Sequence, residues 1–410
     1  MASATYLSSH SLDRIADPRH SSHFPLQLRA FSLLLLRRLS LKSPPNTAVH
    51  SSDPLFLPAS SLINTLSNDT LAYIRSHLLG ALPTEPDATV RTRLADCVSG
   101  LAQAALDDKH LWTELLGGLM QMTGHPEPMV RESVFKIYEE CPGLVEEEDP
   151  NAVKRESLSL LPLSLRLHRT KHVHQLKNVV DRVSTHLVAN LDVFNNALND
   201  PESLAVRLAS LRGAVAFLQD ASSETRKSSS DLMTAILNLL TTLDEDDLAS
   251  TLQHLIPLAS LHPTIFTPHL ATFLPYILHV ASPPNEVSEE GALMPDDSPA
   301  QPAFELLLSI VESKPAMLRK YVSPDGQFQF VSQASQTAMR MVALLEEDES
   351  WGQDEEWEDE QEGGWSIWGE ECLDRLATAL GGRATLPAVW QLVESLLKNP
   401  DWKARYAALM

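Results

Sequence analysis

The chain has 410 residues and a net charge of −22, with 32 Lys and Arg against 54 Asp and Glu. That length allows two or three compact domains or one long repeat array. So acidic a balance argues against direct binding to nucleic acid or to an anionic membrane, and for basic partners. Aromatic residues are sparse (6%) and leucine is abundant, which suits an all-helical protein better than a β protein. Cys97, Cys141 and Cys372 are few, odd in number and far apart, as expected of a reducing compartment without a disulfide framework. The longest apolar run, Leu33–Leu36, is too short to span a bilayer, and no signal peptide opens the chain. A soluble intracellular protein without membrane insertion is the expectation.

In chain order, residues 1–25 read as an irregular segment, and QLRAFSLLLLRRLSL up to Leu41 as a buried helix with Arg29, Arg37 and Arg38 on its wet side. Residues 42–58 read as a loop. A helix over 70–82 then meets the turn Pro83–Asp87, and a second helix carries Val90, Leu94, Cys97 and Leu101 on one face. The same grammar returns with a helix over 111–122, the turn Gly124–Pro128, and Val130, Val134, Ile137 and Cys141. Val90-Arg91 and Val130-Arg131 lie forty residues apart, the period of paired-helix HEAT repeats. A third copy follows the turn Asn199–Glu202 with Val206-Arg207, seventy-six residues after Arg131 and close to twice the period. Between them, 146–177 turns from acidic to basic and His-rich and reads as an insertion.

Further pairs are expected over 231–243 with 248–260, 269–281 with 300–312, and 328–345 with 372–380. A last helix over 386–397 leads through Asn399-Pro400-Asp401 into a final segment that stops at Met410. Half a hairpin cannot bury its own apolar face, so this end is expected to be frayed or the chain to be a fragment. The fold expected is all-α, a HEAT-repeat α-solenoid of about seven antiparallel helix pairs wound as a right-handed superhelix. Its segments are 1–25 (irregular), 26–145 (N-terminal repeats), 146–177 (insertion), 178–345 (central repeats), 346–364 (acidic loop) and 365–410 (C-terminal repeats, the last truncated).

The acidic loop is the prime candidate site. Glu346, Glu347, Asp348, Glu349, Asp354, Glu355, Glu356, Glu358, Asp359, Glu360 and Glu362 place eleven carboxylates on one strap between two helices. Such a strap repels itself and has little to bury, so it suits gripping something basic, although most charge runs are solvated linkers. Trp351 and Trp357 are possible aromatic anchors for Lys or Arg of a partner; docking back onto neighbouring helices is the blander reading. Trp365 and Trp368 read as structural. Arg91, Arg131, Arg207 and Arg405 recur at one place in the repeat and read as a structural ladder paired with turn acids such as Asp87, Glu127 and Asp401. His168, His172 and His174 lie together without the ligands that would complete a metal site. No G-x-S-x-G, phosphate-binding glycine loop or H-E-x-x-H occurs. No catalytic residue, cofactor or metal is expected, and no enzyme.

Three pieces carry a resemblance: AMLRK at 316–320, the combination MVALLEEDESW at 341–351 with CLDRLATALGG at 372–382, and NPDWKARYAALM at 399–410. In order and spacing they resemble the importin-β superfamily, specifically the N-terminal part of its importin-β3 (importin-5-like) karyopherin branch, and RAFSLLLLRRLSLKSP at 29–44 is similar to that family's second-repeat helix. The resemblance implies a nuclear import receptor shuttling between cytoplasm and nucleus. It would carry basic cargo such as ribosomal proteins or histones on a concave wall, contact FG-repeat nucleoporins in the pore and release cargo to Ran-GTP. The chain departs from the family in lacking a recognisable first repeat, where Ran binds, and the C-terminal repeats. The rival expectation is a HEAT-repeat scaffold that assembles a cytosolic complex.

Overall fold

The computed structural model describes residues 26–40, 66–108, 112–146, 191–283, 298–345 and 364–410. Among them the chain is helical, with no strand and a single isolated antiparallel bridge between Val322 and Gln329. It divides into two compact units, Met1–Thr225 and Arg226–Met410.

In the first unit, α1 (Leu26–Ser40) is followed by α2 (Asn68–Ala81), α3 (Ala88–Asp108), α4 (Thr113–Met122), α5 (Pro128–Glu140), α6 (191–198) and α7 (Leu204–Asp220). Side-chain oxygens start several of these helices by taking otherwise unpaired backbone N–H groups. Ser67 accepts from the N–H of Thr70, Asp87 from Val90 and Ser203 from Val206. The helices α1, α3, α5 and α7 pack side by side as one layer. The predicted faces are the core of that layer: Val90, Leu94, Cys97, Leu101, Val130, Val134, Ile137 and Cys141 are all buried.

Phe135 and Tyr138 of α5 meet Phe194 of α6 at 5.9 Å between ring centroids, and Phe194 stacks on Phe217 of α7. Burial pushes the Tyr138 phenol up, and its hydroxyl has no hydrogen-bond partner among the described residues. A buried hydroxyl without a partner costs free energy that its ring does not need. Tyr138→Phe is therefore expected to stabilise the first unit by about 1 kcal/mol, read as a higher urea midpoint; a lower midpoint would show that the hydroxyl is satisfied.

In one respect α1 differs from expectation. Leu33 is its one buried residue among those with described side chains, whereas Leu26, Leu28, Phe31 and Leu35 are exposed. Arg29, expected on the wet side, is instead largely enclosed and grips Glu85 at 2.8 Å. The reason is that α1 packs mainly on α3 along one stripe, which leaves Leu26, Leu28, Phe31 and Leu35 on its outer side.

The second unit holds α8 (Ser230–Leu240), α9 (Glu245–Leu261), α10 (Leu270–Val280), α11 (Ala300–Ser313), α12 (Phe330–Val342), α13 (Trp365–Leu380), α14 (Gly382–Leu396) and α15 (Trp402–Leu409). Here α9, α11 and α13 form one layer, and α10, α12 and α14 the other. With the first unit this makes seven consecutive helix pairs among the described residues, α2/α3 through α14/α15. A paired-helix array stacked in two layers is the α-solenoid expected from the forty-residue period.

The pair α12/α13 corrects an expectation: α13 begins at Trp365, seven residues ahead of Cys372. Glycine disfavours a helix interior by propensity, yet Gly369 is buried inside α13. A Cβ there would lie 2.7 Å from the carbonyl oxygen of Ala338 and 2.7 Å from the amide nitrogen of Val342. The glycine is where two backbones meet, not where a helix ends.

Candidate functional site

The acidic loop residues, from Glu346 to Glu362, lie outside the described residues together with Trp351 and Trp357, as do His168, His172 and His174. The structure does fix both ends of the strap. Leu345 follows α12, and its carbonyl accepts from Lys403 Nζ of α15 at 2.8 Å. At the other end Gly364 precedes α13, where the Ser366 hydroxyl donates to the Val342 carbonyl at 3.1 Å and the Trp365 indole is buried. The strap is thus tethered at adjoining ends of two tightly packed helices.

Farther along α13, the layer of α11 and α13 carries a charged surface that the sequence reading missed. Arg375 of α13 forks onto Glu305 of α11, Nη1 to Oε2 at 2.7 Å and Nη2 to Oε1 at 2.9 Å. It forks again onto Glu312 at 2.7 and 3.1 Å, and Glu371 lies 3.6 Å away. Hydrogen bonds donated to Glu305 and Glu312 hold the Arg375 guanidinium well above the usual arginine range. One cation therefore serves three carboxylates, which leaves the patch with two net negative charges. Glu312 and Glu371 keep 41% and 54% of their side-chain surface exposed, so they can still meet a second cation. Glu305 and Glu312, seven apart on an otherwise apolar helix, were the available signal; the arginine that joins them is seventy residues downstream.

The corresponding layer of the first unit is balanced. Arg37 bridges Asp96 at 3.4 Å and Glu140 at 3.3 Å, Arg93 also reaches Asp96 at 3.2 Å, and Arg212 pairs with Glu139 at 3.1 Å. On the other side of that unit, α2 and α4 border a groove of about 1010 Å³ lined by Leu79, Pro83, Met122 and Pro126. Arg75 lies 5.4 Å from the Trp112 ring at one end of it. Burial holds the Arg75 guanidinium below its usual value, partly offset by the charge of Glu114. Gly118 lets α2 close in, since a Cβ there would meet Leu79 at 2.9 Å.

The repeat arginines occupy one structural position, but their partners differ from those expected. Arg91 donates to the carbonyl of Glu85 at 2.7 Å, Arg131 to His125 and Pro126 at 2.8 and 3.0 Å, and Arg405 to Asn399 and Pro400 at 2.9 and 2.7 Å. Each guanidinium thus ties the backbone of its own turn, five or six residues upstream. The turn acids do other work: Asp87 and Asp401 accept from the backbone N–H groups of Val90 and Lys403, and Glu127 starts α5 without a side-chain cap. Only the partners of Arg131 include carboxylates, and these come from the following turn, Asp200 at 2.8 Å and Glu202 at 2.9 Å. Arg207, at the same place in the sequence repeat, has its Nε buried and without an acceptor among the described residues.

Cys97, Cys141 and Cys372 are free and buried. Burial pushes the Cys97 thiol up to about 12, so it is held as an inert thiol. Among the described residues no group of metal-ligating side chains converges, and no helix is long and apolar enough to cross a membrane.

Two family models match the chain. One, described as importin repeat, covers residues 295–387; the other, described as IPO5-like, TPR repeats, covers 86–159 and 172–276. Only residues 160–171 separate the two parts of the latter match, within the segment read as an insertion. Importin subunit beta-3 of Saccharomyces cerevisiae is 25% identical over 387 residues, which is 93% of this chain and 30% of the relative. The crystal structure of Kap121p bound to Nup53p superposes with a TM-score of 0.69 at 20% identity, covering 99% of this chain and 33% of that one. Kap121p bound to RanGTP gives 0.67, also at 20% identity and with the same coverage. The chain spans about a third of the length of these relatives, and it has their HEAT-repeat solenoid fold. The repeat models, the relative and the fold agree with the motifs at 316–320, 341–382 and 399–410: this chain belongs to the importin-β family of karyopherins.

Proposed function

We propose that the chain acts as the N-terminal part of a nuclear import receptor of the importin-β3 type, moving basic cargo such as ribosomal proteins or histones between cytoplasm and nucleus under Ran control. The observation that carries this reading is the anionic surface of α11 and α13, where three carboxylates surround Arg375 on the helix that also anchors one end of an eleven-carboxylate strap. Glu305, Glu312 and Glu371 form an anionic wall, and the carboxylates of Glu346–Glu362 add charge suited to a cationic segment. Trp351 and Trp357 add faces on which Lys or Arg can stack. The segments 26–145, 178–345 and 365–410 are the repeats that hold these parts, with 346–364 the acidic loop between them.

The mechanism is binding rather than chemistry. Charges exposed to solvent act over a Debye length of about 8 Å at physiological salt, so capture should be fast and strongly salt-dependent. Release follows when a competing partner favours another curvature of the array. Kap121p has been crystallised with RanGTP and with Nup53p, which supports the same classes of partner here. The groove between α2 and α4, apolar at Leu79, Pro83, Met122 and Pro126 and polar at Arg75, Glu114 and His125, is the place suited to an aromatic side chain of an FG-repeat nucleoporin. A cytosolic scaffold would have no use for that combination.

The test is retention of the purified chain on GTP-locked Ran and on FG-repeat peptide, with a basic peptide titrated in parallel. Binding to any of the three supports transport, and failure of all three overturns it. Neutralising Glu355, Glu356, Glu358, Asp359 and Glu360 to Gln or Asn is expected to weaken basic-peptide binding roughly tenfold and to flatten its salt dependence. An unchanged salt slope would make the strap a spacer.

A further inference from the structure

Between the short helical turn Pro315–Leu318 and α12 the chain makes a small hairpin that no part of the transport reading uses. Ser323 donates its N–H to the Phe328 carbonyl at 2.8 Å, and the Gly326 N–H returns to the Ser323 carbonyl at 2.9 Å. Pro324 occupies the second position of that turn, which its fixed φ suits, and Gly326 takes the last at φ 73°. The Ser323 hydroxyl holds the hairpin shut: it accepts from the Phe328 N–H at 2.9 Å and donates to Asp325. That hydrogen bond and the Gln327 N–H hold the Asp325 carboxyl below its usual range, so it is an anion.

We infer that Ser323 is a phosphoacceptor for a proline-directed serine/threonine kinase, and that the phosphate opens this hairpin. Four other Ser-Pro or Thr-Pro steps occur, at Ser43, Thr267, Ser282 and Ser298. Ser43 lies outside the described residues. Thr267 is locked within the 3₁₀ turn Pro263–His269. Ser282 is flanked by buried Ala281 and Pro283, and Ser298 runs into Pro299 and buried Ala300. Around Ser323, by contrast, Val322, Pro324, Asp325, Gly326 and Gln327 are all exposed, as are Arg319 and Lys320 upstream. A kinase has to grip an extended run of residues, and this one is held by one bridge and a few hydrogen bonds, so it can open locally without disturbing the packed helices.

In the transfer, Ser323 Oγ attacks the γ-phosphorus of ATP. The bond to the β-phosphate oxygen breaks, ADP leaves, and the hydroxyl proton passes to the kinase base. The product carries a charge of about −1.5 to −2 at pH 7, set against the Asp325 carboxylate that the hydroxyl had contacted. Like charges at that distance repel, and the hydroxyl proton that linked them is gone, so the hairpin cannot reclose in the same form.

The experiment treats the full chain with a proline-directed kinase and Mg-ATP and maps phosphate by peptide fragmentation, then compares hydrogen exchange of the treated and untreated protein. Phosphate is expected at Ser323, lost in Pro324→Ala, which keeps the hydroxyl. Exchange of the Ser323 and Phe328 amides is expected to become roughly tenfold faster or more. Phosphate confined to Ser43, Thr267, Ser282 or Ser298, or none at all, overturns the assignment. Phosphate at Ser323 with unchanged amide exchange overturns the opening.

Discussion

Gly369→Ala is expected to lower the stability of the second unit by about 3 kcal/mol. The added methyl would lie 2.7 Å from the Ala338 carbonyl oxygen, 2.7 Å from the Val342 amide nitrogen and 2.8 Å from Met341 Cβ. Two of those three atoms are α12 backbone, which cannot turn aside as a flexible side chain can. The helices must therefore separate, and with them the contacts of Met341 and Val342 with α13 loosen. Against this, alanine improves helix propensity by only about 1 kcal/mol. Gly117 of α4 provides the contrast, because a Cβ there meets nothing within 4 Å. Gly117→Ala should stabilise by up to about 1 kcal/mol. Urea titrations of both variants, followed by circular dichroism, distinguish the cases; equal effects of the two substitutions would mean that α12 and α13 do not touch at Gly369.

Arg131→Ala carries the second large effect. Its guanidinium sits between two turns, donating to the carbonyls of His125 and Pro126 and pairing with Asp200 and Glu202. Asp200 has only 8% of its side chain exposed, so removing the arginine leaves a nearly buried carboxylate without its counter-charge. Its remaining bonds, from the N–H groups of Glu202 and Ser203, offset only part of that cost. Breaking a buried pair from one side costs about 3 kcal/mol or more. Arg405→Ala, whose arginine donates to the carbonyls of Asn399 and Pro400, should cost nearer 1 kcal/mol. A calorimetric comparison of the two variants checks this; an Arg131→Ala variant as stable as Arg405→Ala would show that Asp200 is solvated.

The same arginines mark how far the sequence could be read. Their recurrence beside proline-containing turns was visible, because a repeat has to reuse whatever ties one turn down. Their acceptors were not, since backbone carbonyls carry no sequence signature and the acids of Arg131 belong to the following turn. The start of α13 was missed for a related reason. Glycine reads as a breaker from propensity alone, but at Gly369 the demand of a neighbouring backbone outweighs propensity. The surface around Arg375 was equally hidden, because Glu305, Glu312 and Glu371 become a site only when α11 and α13 are laid side by side.

Periodicity along the chain settled the helix pairs, their faces and their stacking class, because burying one stripe of each helix leaves a local pattern that recurs with every repeat. Charge supplied only the expectation of a basic partner. Which helices touch closely enough to require glycine, which carboxylates share a cation, and which turn stands free in solvent were decided only by tertiary packing. Those are relations between residues tens of positions apart, and no local pattern encodes them.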